Sequence, residues 1–149
     1  MKKLFLIIFI IAFQKLTYAQ NCNIINISPL NFGNYDVASI TPTDGLGYLT
    51  IFCDRNTVVN IQLDRGLYAN SFTTRFMKHS YLNDMLAYNI FTDISRTIIW
   101  GDGSGGSRTV TLKVRKNRLE TVTFYGRIFA SQNVSIGNYS DTITITVLP

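Results

Sequence analysis

The stretch Gly137-Asn-Tyr-Ser-Asp-Thr-Ile-Thr-Ile-Thr-Val-Leu-Pro149 decides how the chain is read. A turn-forming run, Gly137 to Asp141, leads into Thr142 to Val147, where apolar and polar β-branched residues alternate without a break. Period-two alternation marks a strand with one buried face and one solvated face. Ile143, Ile145 and Val147 are expected to point inward, with Thr142, Thr144 and Thr146 outward. A strand this strongly patterned, at the end of the sequence, raises the question of what pairs with its second edge.

Working back from it, strand follows strand. Thr121 to Ala130 aligns Val122, Phe124, Gly126, Ile128 and Ala130, and Thr109 to Val114 aligns Val110, Leu112 and Val114. A basic turn, Arg115 to Arg118, joins them. Gly101 to Ser107, with four glycines, is a loop, preceded by a short extension from Thr97 to Trp100. Met85 to Thr92 is apolar on both parities, which fits a central strand or a helix turn; its aromatic residues favour strand. Ser71 to Met77 is a weaker strand, while Thr57 to Leu63 and Tyr48 to Cys53 alternate cleanly. Asp36 to Gly47 reads as a loop, Leu30 to Tyr35 as a short strand bent at Gly33, and Cys22 to Ser28 as the opening strand. No stretch sustains a 3.6-residue period, so the fold class is all-β, with eight or nine short strands in a sandwich.

The N-terminus stands apart. Lys2 and Lys3, then an apolar run from Leu4 to Phe13, then Thr17-Tyr18-Ala19 have the layout of a secretory signal peptide over residues 1–19. The apolar run is about half the roughly 20 residues needed to span a bilayer, so no membrane span is expected in the mature chain. Cleavage after Ala19 leaves a single domain, residues 20–149. It also removes Lys2, Lys3 and Lys15, so basic residues fall from 14 to 11 against nine acidic ones, and the formal charge from +5 to +2. A surface so weakly basic gives no reason to expect nucleic acid as a partner. In an exported chain the two cysteines, Cys22 and Cys53, read as a disulfide rather than a metal site or catalytic thiol, because no histidine or carboxylate stands at ligand spacing. A loop of that length is worth roughly 3–4 kcal/mol in the chain-entropy treatment.

Nothing in the sequence makes a case for an enzyme. His79, the sole histidine, has no second proton-relay group nearby in sequence and reads as a solvated loop residue. Ser104 and Ser107 lack a strand-to-helix elbow, and the glycine-rich loop lacks the Lys-Ser/Thr of a phosphate-binding loop. Asp102 alone cannot supply the six to eight oxygens of a calcium site. No catalytic residue, metal or cofactor is expected.

Six segments in order carry a resemblance: Leu30-Asn-Phe-Gly-Asn-Tyr35 after Cys22, Gly47-Tyr-Leu-Thr-Ile-Phe-Cys53, Met85-Leu-Ala-Tyr-Asn-Ile-Phe-Thr-Asp93, Trp100-Gly-Asp-Gly103, Phe124-Tyr-Gly-Arg-Ile-Phe-Ala-Ser-Gln132 and Gly137-Asn-Tyr-Ser-Asp-Thr142. Together they resemble the spore coat protein U domain family, which includes subunits of archaic chaperone–usher pili, over Cys22 to Leu148. The resemblance implies an immunoglobulin-like, pilin-type β-sandwich that lacks its final strand, with Cys22 bonded to Cys53. It further implies a structural subunit of a bacterial fibre or coat, held in the periplasm by a chaperone, passed through an outer-membrane usher, and completed by a strand from a neighbouring subunit at the cell surface. Ile143, Ile145 and Val147 would then form one wall of the acceptor groove. Relatives that polymerise carry a donor segment before the first cysteine; here Gln20 and Asn21 cover under about 7 Å, against about 30 Å for a ten-residue donor strand. The expectation is an acceptor rather than a donor of a strand. The Leu148-Pro149 ending also departs from relatives that finish on an aromatic residue. The alternative is a terminal adhesin using loops such as Gly101–Ser107 to contact a surface or glycan. N-terminal sequencing of the exported protein is expected to begin at Gln20; a start at Met1 would remove the signal-peptide reading.

Overall fold

The computed structural model describes residues 22–149; the expected signal peptide, residues 1–19, and the two residues ahead of Cys22 lie outside the described residues. Nine strands make up the described chain: β1 (Cys22–Ser28), β2 (Thr43–Cys53), β3 (Thr57–Leu63), β4 (Arg75–His79), β5 (Met85–Phe91), β6 (Val110–Val114), β7 (Leu119–Ile128), β8 (Tyr139–Ser140) and β9 (Ile145–Leu148). No helix occurs among the described residues. All the ladders are antiparallel and form two sheets of unequal size, one of six strands in the order β1-β2-β7-β5-β4-β8 and one of three in the order β6-β3-β9.

The alternation found in the sequence sets the packing. Leu49, Ile51 and Cys53 of β2, and Val59, Ile61 and Leu63 of β3, turn inward and are buried. Phe124 and Ile128 of β7 and Val114 of β6 join them. Trp100, fully buried, donates its indole N–H to the Ile61 carbonyl at 3.0 Å and stands edge-on to Phe124. That bond lets the largest apolar side chain enter the core without an orphaned donor. Cys22 is bonded to Cys53 and opens the β1–β2 ladder opposite it.

Arg75 is the unexpected member of the core. It is fully buried, yet its guanidinium donates along its edges: Nη2 to the Asp64 carbonyl at 2.7 Å and the Trp100 carbonyl at 2.8 Å, and Nη1 to Asn89 Oδ1 at 2.6 Å. Asn89 in turn donates to the carbonyls of Phe72 and Thr73, and the Phe72 ring lies 5.5 Å from the guanidinium. Burial lowers the arginine's pKa, opposed by the nearby Asp64 and Asp141 carboxylates.

Several expectations are corrected. Leu30 to Tyr35 forms no ladder, whereas β2 begins at Thr43 inside the expected loop. The weak strand lies at Arg75–His79, not Ser71–Met77. Thr97 to Trp100 makes only isolated bridges, Phe91 to Ile99 and Trp100 to Arg108. The terminal strand is divided: Tyr139–Ser140, expected within a turn, pairs with β4 in the large sheet, and only Ile145–Leu148 pairs with β3 in the small one. His79 is buried rather than solvated. Its Nδ1 accepts the N–H groups of Tyr81 and Leu82, both at 3.0 Å, which leaves Nε2 as donor to the Ile136 carbonyl at 3.1 Å. Gly137 lies against that ring, and a Cβ there would collide with it.

Arg75→Met removes the donor shared by two carbonyls and one amide oxygen. The substitution is expected to lower unfolding free energy by roughly 3 kcal/mol or more, read from urea unfolding of the purified chain; a loss below about 1 kcal/mol would mean that water replaces the guanidinium without difficulty.

Candidate functional site

The size mismatch between the sheets leaves part of the large sheet's inner face without a cover. Met77 of β4, Tyr88 and Ile90 of β5 and Phe124 of β7, together with Trp100, form the floor of a groove of about 310 Å³. Ile27, Pro29, Leu30 and Phe32 line one side; Tyr139 to Asp141, Ile143 and Ile145 line the other. A second, more polar recess of about 620 Å³ shares Leu30, Phe32, Met77 and Tyr139 with the first and runs on between residues 31–37 and residues 134–139. The groove therefore extends along the open flank of the sandwich to one end.

Each wall is a segment with the side-chain pattern of a strand and an incomplete ladder. On the first, Leu30, Phe32 and Tyr35 are half-buried while Asn31, Gly33 and Asn34 are exposed. Phe32 packs onto the sheet where Gly45 and Gly126 face each other across β2 and β7, and a Cβ at Gly126 would come within 2.6 Å of its ring. On the second wall, Ile143, Ile145 and Val147 are half-buried and packed against the core, and the three threonines are exposed. Ile143 and Ile145 line the groove, and Val147 lies beyond it. In the order β6-β3-β9, β9 has a neighbour on one side alone.

The second wall is held independently of any occupant. β8 pairs with Lys78 and His79. Asp141 Oδ2 accepts the Tyr88 hydroxyl at 2.7 Å and Oδ1 the Leu67 N–H at 2.9 Å, with Gly66 (φ +80°) so close beneath that a Cβ would strike the carboxylate. Thr144 exchanges two bonds with Asp64: its N–H donates to Oδ1 at 3.0 Å and its carbonyl accepts the Asp64 N–H at 3.1 Å. Burial, reinforced by the Asp141 hydrogen bond, pushes the Tyr88 phenol far above its ordinary range. Burial raises the Asp64 pKa, but hydrogen bonds from Thr144 and Gly66 and the charge of Arg75 outweigh it and hold the carboxyl below the ordinary range.

From the sequence, Ile143, Ile145 and Val147 are expected in the groove; Leu30, Phe32, Tyr88, Trp100 and Asp141 stand in the segments that carry the family resemblance, without a place in the groove being expected for them. The residues examined for chemistry are occupied elsewhere. Both His79 nitrogens are bonded, Ser107 Oγ donates to the Ser104 carbonyl at 2.7 Å, and Asp102 accepts the Ser104 N–H and hydroxyl. Among the described residues no three His, Cys, Asp or Glu side chains gather at metal-ligating distance.

Because the Asp64 pKa is depressed on folding, its contribution to stability is complete above the unfolded carboxylate value of about 4 and is lost as pH falls through the folded value. Asp64→Asn is therefore expected to flatten the acid limb of the stability curve, measured as thermal midpoints from neutral pH downward. An unchanged acid limb would show that Asp64 does not hold Thr144.

Comparison with known proteins bears on the whole arrangement. A family pattern described as the Spore Coat Protein U domain matches residues 9–146. The chain is 34% identical over 129 residues to "Protein U" of Myxococcus xanthus, covering 79% of this chain and 70% of that protein. Its fold is similar, at a TM-score of 0.57 and 24% identity, to a chain of the crystal structure of the CsuC–CsuE chaperone–tip adhesion subunit pre-assembly complex from archaic chaperone–usher Csu pili of Acinetobacter baumannii. The similarity covers 87% of this chain but 40% of that one. With the family pattern spanning nearly its full length and a third of the aligned positions identical to Protein U over most of both proteins, this chain belongs to the Spore Coat Protein U domain family.

Proposed function

We propose that this protein is a non-enzymatic structural subunit of a bacterial surface fibre or coat, and that it acts as a strand acceptor in chaperone–usher assembly. The uncovered groove beside the free edge of β9 carries this reading. An extended segment laid there meets two needs at once. Its main chain pairs with the open edge, and its alternate side chains enter the apolar floor. Left bare, the same edge and floor favour aggregation. A periplasmic chaperone would cover the groove in transit, an outer-membrane usher would pass the subunit on, and a strand from a neighbouring subunit would replace the chaperone. Family membership and the fold of the A. baumannii relative support the pathway.

The surface-binding alternative through Gly101–Ser107 has less to rest on. That loop is closed on itself by Ser104, Ser107 and Asp102, and it lies against Phe72. The strand-acceptor reading is tested by producing the mature chain in the periplasm with and without its chaperone. Soluble monomer is expected to accumulate with the chaperone and to be lost to aggregation or proteolysis without it, and Ile145→Asp is expected to abolish the rescue. Equal yields of stable monomer in both conditions would overturn the reading.

A further inference from the structure

The cations of the described chain are spread unevenly. At the end of the sandwich where β2 and β6 finish and β3 and β7 begin, two turns lie against each other, residues 54–56 and 115–118. They carry Arg55, Arg115, Lys116 and Arg118, with Lys113 just ahead of the second turn; the carboxylates beside them are Asp54 and Glu120. Counting side chains over residues 22–149, five of the 11 basic residues and two of the nine acidic ones stand here, so this corner carries +3 and the remainder −1. The net positive charge is therefore a property of one corner and not of the surface as a whole.

Neither carboxylate neutralises these cations. Ion pairs among the described residues join Arg96 and Arg127 to Asp44; Lys113, Arg115, Lys116 and Arg118 take part in none and are exposed. Asp54 has one carboxylate oxygen shut away from solvent, and Glu120 is half-buried. The second turn is held in shape. The Arg118 N–H donates to the Arg115 carbonyl at 3.1 Å, and Asn117 takes the left-handed conformation (φ 56°) that asparagine tolerates. The Asn117 N–H donates to the Cys53 carbonyl at 3.1 Å and the Lys116 N–H to Asn56 Oδ1 at 2.8 Å, which ties the turn to the residue bridged to Cys22. A closed turn keeps the α-carbons of Arg115 and Arg118 within about 7 Å of each other. Backbone already fixed in this way loses little freedom when a ligand binds.

We propose that this corner binds an acidic polysaccharide. Arg115 and Arg118 offer forked donors that match a carboxylate two bonds at a time, and Lys113 and Lys116 add point charges. The shape of the corner selects a flexible chain. Lys113 stands opposite Val58 on the outer face of the small sheet, and Leu119, after the turn, stands opposite Phe52 on the outer face of the large one. The cations thus run round the end of the sandwich from one face towards the other. A flat lipid surface meets such an edge on one side alone, and neither turn has an aromatic ring on which a nucleic acid base could stack. A sugar polymer can follow the edge, with its carboxylates on the cations and its hydroxyls on the exposed Asn56 and Asn117 amides. None of these residues lines the groove or the recess, so the site stays open whether or not a strand fills the groove.

Titrating the purified mature chain with a polyuronate tests it, with dextran of the same length as the uncharged control. Binding is expected at about 0.05 M salt and should fall roughly tenfold or more at about 0.5 M. Arg115→Glu with Arg118→Glu should weaken it roughly tenfold or more, whereas Arg65→Glu with Arg108→Glu, an equal change of charge elsewhere on the surface, should alter it by less than about threefold. Near-ultraviolet circular dichroism checks that both variants fold. Equal losses in the two variants would mean a response to net charge alone and would overturn the site, as would binding no tighter than to dextran. Tighter binding to single-stranded DNA, or to vesicles containing phosphatidylglycerol, at the same concentration of anionic groups would overturn the polysaccharide as its ligand.

Discussion

The buried guanidinium of Arg75 is the joint on which the architecture turns. It bonds to the backbone where β3 ends, at Asp64, and where the loop after β5 re-enters the core, at Trp100. Through Asn89 it also fixes the segment ahead of β4. A lone cation in a core is costly unless every donor is satisfied, and here the acceptors are carbonyl and amide oxygens rather than a carboxylate. The result is a firm corner between the two sheets. Asp64, placed by that corner, then holds Thr144, so the position of the terminal segment descends from a side chain outside the groove lining.

Given that corner, the groove follows from strand number. Six strands present more inner face than three can cover, and the uncovered part falls where Leu30 and Phe32 approach from one side and Ile143 and Ile145 from the other. The floor is aromatic and aliphatic. The buried Tyr88 hydroxyl and the Asp141 carboxylate, which elsewhere would suggest reactivity, satisfy one another and brace the wall.

Much of this was legible in the residues, and the failures have physical causes. Thr57–Leu63 coincides with β3 because its alternation survives intact from turn to turn. Thr43–Gly47 was read as loop because Asp44, Gly45 and Gly47 mimic turn chemistry, yet Gly45 is there to let Phe32 lie on the sheet, a contact between residues distant along the chain. His79 reads as a solvated loop residue and Arg75 carries no signal of burial, because the carbonyls and N–H groups that satisfy them come from separate elements and leave no local trace. The inward face of Ile143 and Ile145 declares itself by strand parity. The floor does not, since Met77, Tyr88, Ile90, Trp100 and Phe124 are brought together only by the sheet topology.

The division of the terminal segment between the sheets has a mechanical consequence. β8 is sewn to the large sheet and β9 to the small one, with Asp141 and Thr144 tied down between them. A strand lying along β9 and pulled along its own axis would load the ladder bonds in shear, all together rather than one after another. The tension would pass through a segment riveted to both layers, so the sandwich would resist as one body instead of peeling open from its last strand.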